Sequence, residues 1–448
     1  MKTMKKVDIL KFQKWAETWL EFQRRQNKIP GLVYSIFNSE VIITQNGLGY
    51  SDIEEKTPIS PVKTKLQIGS LTKSITAFAV ALLVSDGLID VDAPVNKYLK
   101  EYKNLEIKIQ HLLSHTSGIA KDTKLDPSNS DFFPSKEDLK NELYSDDLFV
   151  YKQGKKVKFS NLSYAILGQL VEKVSGMEFD EFIQQRIFRK LKLVHSSFTP
   201  KGIRKAELAK GYGKIEIDKS LNDFREQYEI SDVESYRPSL GLIASANDIA
   251  KFAEQWFLKN EAILQSKVKS LFLKPINVAE NSSGEDYSMG LKIWKYKKNI
   301  FCGQESSFRG FSSCMIICPR HNIGSIVLTN SQNDMAKTMA EVLIEIFIKI
   351  LNLSEVDNSL DIFEGIFTNK RTDIQIIPLN KSLCYYYLKS INPVGEIIKL
   401  TKEKTGFIND LGFLSDSKGE AVSFDFAKKN TIRSLKIGSE IFYPKYWN

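Results

Sequence analysis

Histidine and cysteine are scarce in this chain, with four of each in 448 residues. Cys302, Cys314 and Cys318 fall close together and Cys384 stands apart, but there is no CxxC pair and no His spacing to match. A zinc site and a disulfide framework are therefore not expected, whereas buried free thiols in a reducing cytoplasm are. Long apolar runs are also missing. A run such as Ala77–Val84 is eight residues, against the ~18–20 that span a bilayer. The first apolar residues are interrupted by Asp8, Lys11 and Lys14. A secretory leader needs an unbroken run of ~7–15, so the expected location is cytoplasmic. Neither a GxxxxGK[ST] loop nor a GxGxxG turn occurs, so no cofactor is expected. Single-sign charge is thin as well. The net charge is +9, but its densest basic runs, Arg204–Lys205 and Lys295–Lys298, are short. A basic balance spread this way gives no reason to expect nucleic acid.

What the chain does have is ordinary globular material, with 42% hydrophobic and 26% charged residues. Its length suggests two or three domains. Residues 8–28 have the pattern of an amphipathic helix, ending before Pro30-Gly31. Leu32–Phe37 and Val41–Thr44 form a hairpin pattern, followed by Gly47 and Gly49. Helical spacing is strong over 71–86 and stops at Gly87. The middle, from about 105 to 286, is mostly helical, with polar loops near 121–135 and 200–237. Strands return at Tyr287–Tyr296, Ser312–Cys318 and Gly324–Thr329, before a helix over 335–351. Beyond 360 come short β-rich runs: 374–379, 383–388, 396–400, 421–426, 431–437 and 441–443. Such runs suit a small barrel, whose interior side chains would mostly fill it.

Gly69-Ser70-Leu71-Thr72-Lys73 is the most informative local pattern. A strand-like approach leads into a glycine, and the serine opens a helix. Three-residue spacing places Ser70 and Lys73 on one helix face. A neutral lysine amine there can take the serine proton, and the helix N-terminus favours a developing oxyanion. Alone, S-x-x-K also describes a helix cap followed by a surface lysine.

The surroundings add to it. Residues 68–78 (IGSLTKSITAF) and 82–99 (LLVSDGLIDVDAPVNKYL) resemble the penicillin-recognising serine hydrolases, closest to class C β-lactamases and their CubicO-type esterase and peptidase relatives. Residues 111–118 (HLLSHTSG), 161–168 (NLSYAILG), 240–248 (LGLIASAND) and 309–313 (RGFSS) match in the same order. Residues 355–448 resemble, more weakly, the lipocalin-like barrel appended to some of these hydrolases. The resemblance implies an α+β serine β-lactamase/DD-peptidase fold over residues 1–353. Its α/β part would be about 1–110 and 287–352, its helical part about 111–286, and a small β-barrel would follow over 354–448.

It also implies a site in which two motifs depart from the family pattern. The second motif, usually Tyr-x-Asn, falls on Phe159-Ser160-Asn161, and Phe159 cannot carry a proton. The third, usually Lys-Thr-Gly or His-x-Gly, falls on Gln304-Glu305-Ser306. Asn161 would orient Lys73 and substrate, and the amides of Ser70 and about Ser307 would form the oxyanion hole. Tyr151, Tyr164 and Glu305 are the candidates to replace the missing proton carrier. Two readings stay open. One is a hydrolase that cleaves a small amide, ester or short peptide through a Ser70 acyl-enzyme with Lys73 as base. The other is an inactive relative that binds a ligand or acts as a scaffold. His111 and His115 lack the intervening Glu of a metalloprotease helix, so their expected work is structural. Asp90 and Asp92 are expected in a turn. A homo-oligomer is compatible with either reading.

Overall fold

The computed structural model describes residues 6–102, 107–123, 133–142, 148–214, 216–217, 223–276, 286–352, 358–379, 382–403, 406–410, 419–427 and 431–446. The polar loops expected near 121–135 and 200–237 fall partly outside these. The chain divides into two compact units, Ile29–Glu341 and a second made of Met1–Lys28 with Val342–Asn448. In this division the first helix and the end of the helix Met335–Leu351 group with the C-terminal strands.

The larger unit is built on an antiparallel sheet. Its strands are β1 (Gly31–Phe37), β2 (Ile42–Asp52), β3 (Thr57–Pro58), β4 (Asp286–Tyr287), β5 (Lys292–Tyr296), β6 (Asn299–Phe308), β7 (Phe311–Cys318) and β8 (Ile323–Thr329). Their order is β4-β5-β6-β7-β8-β1-β2-β3. Every residue of β1, β7 and β8 is buried, as in strands covered on both faces. The expected hairpin is present, but β2 runs on through Gly47 and Gly49 to Asp52. Glycine is required at position 47 because a Cβ there would lie 2.3 Å from the Ile59 carbonyl oxygen. The polar stretch of β6 hides a strand that periodicity does not reveal.

Between β3 and β4 the chain is mainly helical. Helix α1 (Thr72–Ser85) is apolar nearly all round and buried through Leu83, as a central helix must be. Helix α2 (Asn161–Ser175) is capped by the Ser160 side chain, which accepts from the Ser163 amide, and it stops at left-handed Gly176. The short helix α3 (Arg237–Leu240) packs on both. Contact between α2 and α3 is close at Gly168, where a Cβ would lie 2.2 Å from the Pro238 ring.

In the smaller unit, eight strands close into an antiparallel barrel, from Gly365–Thr368 round to Glu440–Pro444. Two of them, Gly365–Thr368 and Gly406–Asp410, are additional to the six expected. Phe367, Tyr385, Leu400, Phe407, Val422 and Leu435 form its core, with Phe363 and Phe424 packed against them. The N-terminal helix, Lys6–Gln26, belongs to this unit because of what its buried face meets. Trp15 lies against Tyr386, Phe12 meets Phe347 edge-on, and the Trp19 indole N–H donates to the Ser390 carbonyl at 2.9 Å. Among the described residues, no helix is long and apolar enough to cross a membrane.

The Gly168 contact is testable. Gly168→Ala should lower the unfolding free energy by about 1–3 kcal/mol through overpacking against a ring that cannot bend away, measured by urea unfolding. A second substitution, Pro238→Ala, should recover part of that loss.

Candidate active site

Ser70 lies in a tight turn, Gly69–Leu71, that feeds α1. Gly69 has φ +53°, a backbone conformation that favours glycine. Three hydrogen bonds through two side chains fasten the turn. Ser313 Oγ donates to the Ile68 carbonyl at 2.9 Å, Thr72 Oγ1 donates to Gly69 O at 2.6 Å, and the Leu242 amide donates to Thr72 Oγ1 at 3.1 Å. Ser70 is only 8% exposed.

One turn later Lys73 is wholly buried. Its Nζ lies 3.1 Å from Ser70 Oγ, 2.6 Å from Asn161 Oδ1 and 3.0 Å from the Ser239 carbonyl oxygen. Burial pushes the amine well below its ordinary range, the Asp122 carboxylate pulls the other way, and Lys121 adds to the lowering. In the neutral amine two N–H groups suffice for Asn161 and Ser239. The lone pair is then left for the Ser70 hydroxyl, which becomes the donor.

Asp122 escaped the sequence reading. It follows the 111–118 signature by four residues, and nothing in its own neighbourhood marks it. Its Oδ1 accepts from Asn161 Nδ2 at 2.6 Å. A carboxylate can only accept, so it fixes which end of the Asn161 amide faces it and turns Oδ1 toward Lys73. Burial raises the Asp122 carboxyl above its usual range, against the Asn161 hydrogen bond and the charge of Lys121.

The phenyl ring of Phe159 sits 4.6 Å from Lys73 Nζ and stacks on His115 at 4.6 Å. His115 is fully buried among Phe159, Tyr164 and Tyr287. Its Nδ1 accepts from the Ser160 amide at 3.1 Å, so its structural role is to hold the turn that starts α2. Burial and then the charge of Lys73 push its pKa well down. Tyr164 donates its hydroxyl to the Leu113 carbonyl at 2.7 Å, and burial raises its pKa. That hydroxyl is committed away from the serine. Tyr151 lies in a different cavity, with Phe149 and Gln153. Asp90 Oδ1 accepts from the Asp92 amide, as a turn residue does.

A cavity of about 340 Å³ opens over Ser70, lined also by Lys121, Phe159, Asn161, Glu305, Ser306, Ser307 and Lys337. Strand β6 forms one wall. Strand β5 pairs with it only as far as Gly303, so among the described strands residues 304–308 are paired only with β7. Ser306 Oγ accepts from the Ser70 amide at 2.9 Å. Glu305 pairs with Lys292 at 2.6 Å and with Lys337 at 3.7 Å. Gln304 is not brought to the cavity with the other expected residues. It is 2% exposed, and its Nε2 has no hydrogen-bond partner among the described residues. It lies opposite core residue Met315, one pleat repeat further from the serine than Ser306. Among the described residues no group of acidic, His and Cys side chains could hold a metal.

This architecture, with a serine opening a buried helix against a sheet edge, matches known proteins over most of its length. Residues 13–346 match the family profile described as Beta-lactamase, and the chain belongs to that family. Protein flp of Staphylococcus aureus (strain NCTC 8325 / PS 47) is 25% identical over 340 residues, covering 73% of this chain. The match spans 65% of that relative's length. Among solved structures, the octameric penicillin-binding protein homologue from Pyrococcus abyssi aligns with a TM-score of 0.65 at 23% identity. It covers 96% of this chain and 99% of its own. The D-amino acid amidase from Ochrobactrum anthropi SV3 aligns at 0.66 and 18% identity, covering 77% and 99%.

The buried histidine gives a pH prediction. Below about pH 6.5 an unfolded His115 binds a proton that the native one does not. Native stability is therefore lost as pH falls through that value, by up to about 1.4 kcal/mol per pH unit. His115→Gln should remove this contribution. Its unfolding free energy, followed from pH 7 to pH 5, should fall less steeply than that of the wild type.

Proposed function

We propose that this chain is a serine hydrolase that cleaves a small amide or ester substrate through an acyl-enzyme on Ser70, with Lys73 as the base. The observation that carries this is the buried Lys73 amine 3.1 Å from Ser70 Oγ. Lys73 takes the Ser70 proton as Oγ attacks the carbonyl carbon. The resulting ammonium then delivers that proton to the leaving group. Water attacks the acyl-enzyme in turn, its proton passing to Lys73 and on to the departing Ser70 oxygen. The amide N–H groups of Ser70 and Ser307 face the developing oxyanion. With phenylalanine at 159, the Tyr164 hydroxyl committed to Leu113 and Glu305 paired with Lys292, Lys73 performs both transfers. Asp122 and Asn161 act as positioning residues for it. The mixed polar lining of the cavity supports a small polar substrate, and the named activity of the amidase neighbour supports an amide as one option. The octamer named for the Pyrococcus neighbour supports self-association.

Incubation with a fluorophosphonate, followed by intact-protein mass, tests the nucleophile. Wild type should gain one adduct and Ser70→Ala none. No adduct on wild type, and none on variants that open the oxyanion site, would point instead to a binding protein on the same fold. Lys73→Ala should slow ester turnover by ~10²–10⁴-fold.

The pH dependence of acylation tests the base. The rate should rise with pH as Lys73 loses its proton, over a range well below that of a free lysine. Asp122→Asn removes the charge that raises the Lys73 pKa, so the rising limb should move to lower pH. An unmoved limb would count against Lys73 as the titrating base.

A further inference from the structure

The Ser70 amide, one of the two donors assigned above to the oxyanion, already has an acceptor. It donates to Ser306 Oγ at 2.9 Å. Oxyanion-hole donors lie about 2.7–3.1 Å from the oxygen they stabilise, so with respect to this donor the Ser306 hydroxyl stands at oxyanion distance. Its fit there is close. A Cβ on Gly69 would lie 2.3 Å from Ser306 Oγ and 3.0 Å from Phe308 Cβ. The Gly69–Ser70 peptide and strand β6 therefore approach each other tightly around this hydroxyl.

We infer that Ser306 is an internal plug of the oxyanion site, whose hydroxyl must rotate away before a substrate carbonyl can be activated. This rests on the acyl-enzyme reading above. Ser306 lines the cavity, and a serine hydroxyl has three staggered positions, so it can leave without movement of the strand. Displacing it trades one neutral hydrogen bond for another while the substrate carbonyl is uncharged, so the ground state gains little. Once negative charge develops on the oxygen the new bond is charge-assisted and roughly twice as strong. The plug therefore slows acylation by the hydrogen bond that must be given up. It also shields the Ser70 amide from water when the site is empty.

The test compares the second-order rate of fluorophosphonate labelling in wild type, Ser306→Ala, Ser306→Gly and Ser306→Thr, with adducts located on Ser70 by peptide mapping. The reagent's phosphoryl oxygen must enter the position that the hydroxyl holds. Alanine keeps the strand's backbone restraint and lacks the acceptor, so it should label roughly 2- to 10-fold faster, the worth of one neutral hydrogen bond. Glycine should do likewise, and threonine, which keeps the hydroxyl, should stay at or below the wild-type rate. Labelling of Ser306→Ala alone, with wild type inert, also supports the plug. Wild type labelling as fast as or faster than both small variants would overturn the plug and leave the nucleophile assignment standing. No adduct on any variant would overturn the acyl-enzyme reading itself, and the plug with it.

Discussion

An amine with no exposed surface must find all its hydrogen bonds inside the protein. Lys73 finds them on Ser70, on Asn161 at the start of α2, and on the Ser239 carbonyl of α3. That one requirement ties three helical segments to a point. Helix α1 supplies the amine, α2 is anchored by its Ser160 cap and by His115, and the Gly168–Pro238 contact lets α3 lie close enough to present its carbonyl. Loss of any one acceptor would leave a buried donor without a partner, which is more expensive than the hydrogen bond itself is worth. The same burial that demands these partners lowers the proton affinity of the amine, so packing and chemistry have a single cause.

The charges around this point are arranged in layers. The Asp122 carboxylate does not touch Lys73; it reaches it through the Asn161 amide. Lys121 stands 3.4 Å from Asp122 on the side that lines the cavity. Direct pairing of Lys73 with a carboxylate would favour the ammonium and remove its lone pair. An amide spacer fixes geometry while weakening that effect. Phe159 completes the enclosure by presenting a ring where a hydroxyl would bring water and a competing proton.

Local spacing pointed to Ser70 and Lys73 because the turn Gly69–Leu71 runs directly into α1 and puts them three residues apart. The fold was legible for a similar reason, since several short signatures occur in a fixed order. What the sequence hid depends on contacts between distant residues. Asp122 meets Asn161 across 39 positions, and Ser306 meets the Ser70 amide across 236. Gln304 looked like a site residue by its place in a motif, yet two residues along the strand moved it from the cavity to the core. Amphipathic spacing showed that the N-terminal helix buries one face, but not which part of the chain covers it.

That last pairing has a consequence for synthesis. The helix carrying Phe12, Trp15 and Trp19 leaves the ribosome more than 300 residues before its partners Phe347, Tyr386 and Ser390. During that interval the 29–341 unit can fold on its own internal contacts, but the apolar face of the first helix has no permanent cover. At 5–20 residues per second the wait lasts on the order of tens of seconds. This helix is thus made long before it can reach its native packing, and the nascent chain carries an adhesive face throughout that interval.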